Sequence, residues 1–427
     1  MFKKLIEKLP IKSEFFKNTF KLAIGTSIAQ FFPIFFYPIL GRIYSPADFG
    51  LLATITSITA ILAVLTTGRY EDSILIAKTK KDTINIISLI LLISLTLLII
   101  LSFFLLFFSA QLGILFNESD LTKWLFISPI SAFAIIIFNI YNEWCVRNKD
   151  FIRLSWNKIY NSSAVTFFKL FFGIVKVLSG GLVIGDLLGR IINSSSCVYR
   201  ILKKEKNTIS EISFKHMKKM AIRYSEFPRY NLPGQLSNTI GKQFPILIIG
   251  AYFNSIEVGY YSMTMSILSI PISVISSAIS NVFRQKANRE FNEKGNFKNI
   301  YLKILKTLTL VSILGLFSVI FFLPKIFALV LGDQWQIAGE YSQILLPMIA
   351  ISFINMSMRG VFIITQKLRA LMFWQFYYVG ISIVSLLVGI FIFKNIKMTL
   401  VCYAIGRTSA YLINMVLSYK YSQGSST

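Results

Sequence analysis

Histidine is nearly missing from this sequence. The single one, His216, lies in a basic stretch with no cysteine, serine or carboxylate pattern to make it a nucleophile's base or a metal ligand, so it reads as polar surface. Three cysteines, Cys145, Cys197 and Cys402, are odd in number and widely spaced. That fits neither a disulfide framework nor a zinc site, and reads as small buried hydrophobes. No Walker-type phosphate loop occurs, which argues against direct ATP hydrolysis. Neither an enzyme nor a bound cofactor is expected. Charge is scarce as well, at 15% of residues where soluble domains carry about 25%. It is also lopsided, with 19 acids facing 44 Lys and Arg. At 55% hydrophobic, the 427-residue chain lacks the polar complement of a soluble globule.

What fills the chain instead is apolar sequence in runs of about 20 residues, the length that crosses a bilayer as a helix. Such runs lie near 19–41, 47–67, 83–108, 121–142, 155–176, 179–199, 229–251, 258–282, 302–323, 338–358, 371–393 and 398–419. The expectation is an all-α polytopic membrane protein with twelve transmembrane helices. A net charge of +25 would suit a nucleic-acid partner if the cations shared one soluble face, but they alternate from loop to loop. One set of segments carries most of them, including nine between Arg200 and Arg229 and seven between Arg284 and Lys306. The opposite loops hold only Arg42, Lys123, Lys176, Lys325, Lys394 and Lys397. Positive-inside asymmetry explains the pattern better than nucleic acid and places both termini in the cytoplasm. Residues 1–18 form a basic amphipathic segment suited to the membrane surface. A signal peptide fits less well, because the following apolar run is too long and lacks a small-residue cleavage site.

The longest polar stretch supplies a cytoplasmic linker at 201–225, between a six-helix lobe at 19–200 and a second at 226–420, with a polar tail at 421–427. The halves correspond. Gly41–Gly50 (GRIYSPADFG) and Gly250–Gly259 (GAYFNSIEVG) align at an offset of 209, each with a small polar residue three positions before an acid, the capping-box arrangement. Pro129 with Pro347 at an offset of 218, and Gly189-Arg190 with Gly406-Arg407 at 217, extend the register. Six spans is an even number, so the lobes share orientation and form a parallel pseudo-two-fold repeat. Pro33 and Pro38 in the first span, with Pro228, Pro233 and Pro245 in the seventh, predict kinked or broken leading helices.

Helical spacing sorts the polar residues into faces. The first span aligns Thr19, Thr26, Gln30 and Tyr37; the seventh aligns Asn231, Gln235, Asn238 and Lys242, an amide-rich stripe that is costly in hydrocarbon without water or partners. The eighth carries a line of serines from Ser262 to Ser280 ending at Arg284, which fits a wet face or close helix packing. On the sharper reading, spans one, two, seven and eight line a central polar cavity. The fifth span aligns Lys158, Lys169 and Lys176. Lys169 lies about 10 Å inside Lys176, too deep to snorkel easily, and calls for water or a ligand. Lys21, Arg42, Arg359 and Arg407 complete the cationic candidates for the cavity. Asp186 with Arg190, and Glu143 with Arg147, are spaced to neutralise each other. Arg69, Glu71 and Asp72 form an anchor, a gate or an ion-coupling site at the mouth of the second span, and Glu143, Asp186 and Glu226 join the gate or coupling candidates. Gly181, Gly185 and Gly189, at intervals of four, mark a close-packing face. No constellation with metal-ligand spacing appears.

A six-plus-six arrangement with more cations than acids along its polar seam suits a transporter of an anionic substrate, because a low-dielectric cavity strengthens charge attraction. LGRIYSPADFG at 40–50, GRYEDSILIA at 68–77 and RNKDF at 147–151, with its counterpart TQKLR at 365–369, carry a resemblance over about Phe16 to Tyr419. The sequence resembles the polysaccharide-biosynthesis or O-antigen flippases of the multidrug, oligosaccharidyl-lipid and polysaccharide exporter superfamily. That resemblance implies a V-shaped pair of six-helix lobes with a cationic cavity. It also implies movement of an undecaprenyl-diphosphate-linked oligosaccharide, an O-antigen, capsule or exopolysaccharide repeat unit, out of the cytoplasmic leaflet of a bacterial inner membrane. The implied partners are the lipid-linked oligosaccharide, membrane lipid and other polysaccharide-assembly proteins. Two alternatives stand beside it. A drug or organic-cation antiporter of the same superfamily would want a buried carboxylate in its cavity, and a polysaccharide polymerase or ligase would want a large external loop.

Overall fold

The computed structural model describes residues 14–116, 118–177 and 180–424. Most of the basic segment expected at 1–18, the side chain of Lys21 and the last three residues of the tail at 421–427 lie outside the described residues. Every regular element among the described residues is helical. Twelve helices have 21 residues or more: α1 (Glu14–Ile43), α2 (Pro46–Thr67), α3 (Lys80–Phe107), α4 (Ile127–Arg147), α5 (Phe151–Ile174), α6 (Gly181–Lys204), α7 (Leu232–Tyr252), α8 (Ser255–Lys294), α9 (Lys298–Val319), α10 (Gln336–Ser357), α11 (Leu368–Val388) and α12 (Ile396–Ser422).

Their starts follow from local chemistry. At α2 the Ser45 side chain accepts from the Asp48 N–H while the Asp48 carboxylate takes the Ser45 N–H at 2.9 Å, a complete capping box with Pro46 in the first turn. Thr79, Asp150 and Asn395 cap α3, α5 and α12 with their side-chain oxygens, each accepting from a backbone N–H of the first turn. Among the described residues nine segments are long and apolar enough to cross a membrane, and they cover all or most of every long helix except α5, α6 and α7. Those three have the length but carry polar groups inside the span: Lys158 and Lys169, Asp186 and Arg190, and the amide stripe with Lys242. The prolines of the first span do not break α1. The helix runs unbroken through Pro33 and Pro38, while Pro228 sits in a π-helical turn, Phe227–Asn231, that leads into α7.

Contacts divide the chain into two units, one up to Val258 and one from Gly259. In the first, α5 packs along α6 and α1, α2 packs against α4 and α7, and α4 against α6. Lipid is as apolar as leucine, so packing and hydrogen bonds hold such helices together. Trp144 and Tyr141, both fully buried, stack at the centre of one core with 5.7 Å between ring centroids. In the second unit α12 packs against α10 and α11, and Phe283, Phe297 and Tyr301 anchor a core where the Tyr301 hydroxyl donates to the Met415 carbonyl.

The linker expected to be solvated is bound on one side to the first unit. Its helix Phe214–Arg223 is capped by Ser213, whose N–H donates to Asn85 Oδ1 at 3.0 Å. His216, expected as free polar surface, instead lies with Nε2 2.8 Å from Asp82 Oδ1 in the first turn of α3. Met220 is buried, and Tyr70 donates its hydroxyl to the Ala221 carbonyl. The sequence pattern showed no partner for His216 because Asp82 lies 134 residues away.

Candidate functional site

The α5–α6 contact is almost backbone to backbone. A Cβ on Gly185 would stand 2.7 Å from the backbone N of Lys169, and one on Gly189 would stand 2.4 Å from the Val165 Cα, so only glycine fits. This approach lets a lysine of α5 reach a carboxylate of α6. Lys169 Nζ lies 2.9 Å from Asp186 Oδ1, and Arg190 donates through Nε and Nη2 to both oxygens of the same group. The Asp186 side chain is 6% exposed, against 16% for Lys169 and 23% for Arg190, so the carboxylate is the buried hub and both cations keep an open side.

That open side faces a cavity of about 430 Å³. Its polar lining includes Thr26, Gln30 and Tyr37 from α1, Lys158, Asn161, Ser162, Thr166 and Lys169 from α5, and Asp186 and Arg190 from α6. Lys158 donates to Thr26 Oγ1 at 3.2 Å, and Ser162 to the Ala29 carbonyl at 2.6 Å. Three cations and one acid leave the wall with a formal excess of positive charge, beside several neutral hydrogen-bonding groups. Neither α2 nor α7 contributes to this lining. The sequence pattern singled out Gln30, Lys158, Lys169 and Asp186, which the structure brings together, but assigned Arg190 only the role of neutralising Asp186.

The remaining candidates lie elsewhere. Arg69, in the left-handed region at φ 59°, bridges Glu71 at 3.1 Å and Asp72 at 2.8 Å, and Asn231 donates to the Asp72 carboxylate. Burial pushes the Glu71 carboxyl above its ordinary range, while Arg69 pulls the other way. The expected pair of Glu143 and Arg147 does not form. Arg147 turns to the carbonyls of Ile74, Ala77 and Thr79, because the 70–79 loop folds over its end of α4. Asn231, Asn238 and Lys242 are exposed and Gln235 is half-buried. One residue around the helix, Gln243 accepts from Ser57 of α2 at 2.9 Å, a contact the stripe did not mark. Glu226, Arg42 and Arg359 are exposed. The exposed Arg284 donates to Asn281 at 2.7 Å. Among the serines of α8, Ser276 and Ser280 donate to carbonyls of Phe353 and Arg359, which fits close helix packing.

Arg407 has no carboxylate bridging it among the described residues. Its Nη1 and Nη2 donate to the hydroxyls of Tyr403 and Tyr411, and the Tyr378 ring centroid lies 4.6 Å from the guanidinium. Aromatic faces and phenol oxygens therefore take the place of an anion. Among the described residues no three His, Cys, Asp or Glu side chains gather as a metal site.

Residues 39–339 match the model of a protein family described as polysaccharide biosynthesis protein, a stretch from the end of α1 to the start of α10. The chain belongs to that family. The resemblance read from its motifs is thereby borne out. A search of curated proteins gives no match. Among solved structures, this family member is similar to "Lipid II flippase MurJ, inward closed conformation" at TM-score 0.68 and 14% identity, over 93% of this chain and 90% of that one. It is also similar to a multidrug resistance MATE family transporter of the MOP superfamily. For a structure described as the inward-facing conformation of such a transporter the TM-score is 0.62 at 16% identity, over 93% and 92% of the two chains. For one described as the outward-facing conformation it is 0.56 at 15%, over 95% and 94%. At such identities the likeness establishes a common fold, that of a multi-pass membrane protein.

Proposed function

We propose that this polysaccharide biosynthesis protein is a flippase that moves an undecaprenyl-diphosphate-linked oligosaccharide from the cytoplasmic to the outer leaflet of a bacterial inner membrane by alternating access. The observation that carries this reading is the cationic cavity of α1, α5 and α6. A diphosphate brings two negative groups to a wall where Lys158, Lys169 and Arg190 outnumber Asp186. At an effective dielectric of about 20, one charge pair at 4 Å amounts to about 4 kcal/mol, enough to offset part of the cost of taking the head group out of water. Asn161, Ser162, Thr166 and Gln30 supply the donors and acceptors that sugar hydroxyls need. Lys21, Arg42, Asn231, Gln235, Asn238, Lys242, Arg284, Arg359 and Arg407 are secondary groups along the path in this reading. The Arg69, Glu71 and Asp72 cluster is its gate. Both ends of the chain lie in the cytoplasm, and the two six-helix lobes at 19–200 and 226–420 are a duplicated pair.

The test is leaflet accessibility of a lipid-linked oligosaccharide in vesicles carrying the purified protein. Lys158→Gln with Lys169→Gln is expected to slow translocation at least about tenfold, equivalent to ~1.4 kcal/mol of lost attraction. A folded double variant that flips at the parental rate removes the cavity from the mechanism. Altered drug sensitivity in a deletion strain, without accumulation of lipid-linked repeat units, would favour the drug antiporter instead.

A further inference from the structure

The linker helix Phe214–Arg223 has two different halves. His216, Met217, Met220 and Ala221 face the first unit, through the Asp82 contact, the core around Trp144 and the Tyr70 hydrogen bond. The other half is entirely exposed. Spacing by four places Phe214, Lys218 and Ile222 in one stripe and Lys215, Lys219 and Arg223 in the next. Phe214 is 72% exposed and Ile222 67%. The helix contains no acid at all.

Its position matters as much as its composition. The partner of His216 is in the first turn of α3, whose apolar run begins at that point, so the helix lies level with the end of a membrane span. That is the headgroup zone. A helix bathed only in water gains nothing from presenting a phenylalanine and an isoleucine. Two apolar side chains set among four cations make too small a hydrophobic patch for a stable protein interface, yet they suit shallow insertion between headgroups. Anionic lipid attracts clustered Lys and Arg at short range.

We propose that this face of Phe214–Arg223 binds anionic lipid headgroups and so holds the linker on the leaflet at the Lys80 end of α3. The partner is the bilayer surface itself, recognised by phosphate charge and by shallow burial of Phe214 and Ile222. The proposal stands apart from the identity of the transported lipid.

The experiment uses the full chain in nanodiscs of phosphatidylcholine alone or mixed with phosphatidylglycerol. A fluorophore is placed at Ile222→Cys in a Cys402→Ser background, and its quenching by doxyl-labelled lipid is read against quenching by soluble iodide. Lipid quenching is expected to be several-fold stronger in the anionic discs. It should fall to the phosphatidylcholine level in about 1 M salt, where the Debye length is ~3 Å, and in Lys215→Glu/Lys218→Glu/Lys219→Glu/Arg223→Glu. If that variant does not fold, Lys218→Glu/Lys219→Glu is expected to lose about half of the effect. Equal lipid quenching in the two kinds of disc overturns the proposal. A label that remains open to iodide in anionic discs also overturns it.

Discussion

Asp186→Asn is the substitution whose consequence the structure defines most closely. The carboxylate is the common partner of Lys169 and Arg190, and it is the most buried member of the three. Neutralising it leaves Lys169 of α5 and Arg190 of α6 side by side with no counter-charge between them. Breaking a buried ion pair by removing one partner costs about 3–5 kcal/mol. Both cations open on the cavity and retain some hydration, so the lower end, about 3 kcal/mol, is the expected loss of unfolding free energy. Lys169→Met should cost less, about 1–2 kcal/mol, because Arg190 still donates twice to Asp186. The combined Lys169→Met/Asp186→Asn/Arg190→Met chain removes the whole cluster and should return to within about 1 kcal/mol of the parent, as replacement of complete buried ion clusters tends to do. A reversible detergent-denaturant titration followed by circular dichroism measures all three. If Asp186→Asn costs no more than Lys169→Met, or the triple variant recovers nothing, Asp186 is not the hub.

Two further outcomes use the same titration. Gly189→Ala should cost about 1–3 kcal/mol, since its Cβ meets the Val165 backbone rather than a flexible side chain; Gly234→Ala, with nothing within 4 Å of the new methyl, should be neutral or stabilising. Equal effects at the two sites would refute the close-packing argument. Glu71→Gln addresses pH. Burial raises the Glu71 carboxyl in the folded state above its ordinary 4.5, so the penalty for ionising it is absent below that pH and grows as pH rises toward the folded value. The parent should therefore lose stability relative to Glu71→Gln over that rise, and a difference that stays flat with pH would show that burial does not perturb Glu71.

The sequence disclosed what is periodic. The apolar runs located the long helices, the four-residue glycine spacing marked the α5–α6 contact, and the i,i+4 rule paired Asp186 with Arg190. Tyr403 and Tyr411 stand four residues either side of Arg407, so that part of its aromatic box was also within reach of a helical wheel. What stayed hidden depends on relations between helices. Lys169 meets Asp186 only because the register of α5 on α6 brings them together, and no one-helix pattern encodes it. Tyr378 reaches Arg407 from another helix, and Gln243 meets Ser57 across a separation of 186 residues. The i,i+4 rule misled at Glu143 and Arg147, where a folded-back loop offered carbonyls in better position.

The polar character of α5 and α6 bears on how this chain enters the bilayer during synthesis. A charged side chain at the middle of a lone helix raises the free energy of insertion by about 2.5–3.5 kcal/mol on translocon scales, and α5 and α6 carry such groups well inside their lengths. Released one at a time, each would partition poorly. The short connection between Ile174 and Gly181 and the glycine-lined contact allow the two to leave the translocon as a hairpin, with Lys169 and Asp186 joined before either meets hydrocarbon. The ion cluster that faces the cavity in the mature protein would then also lower the cost of inserting α5 and α6.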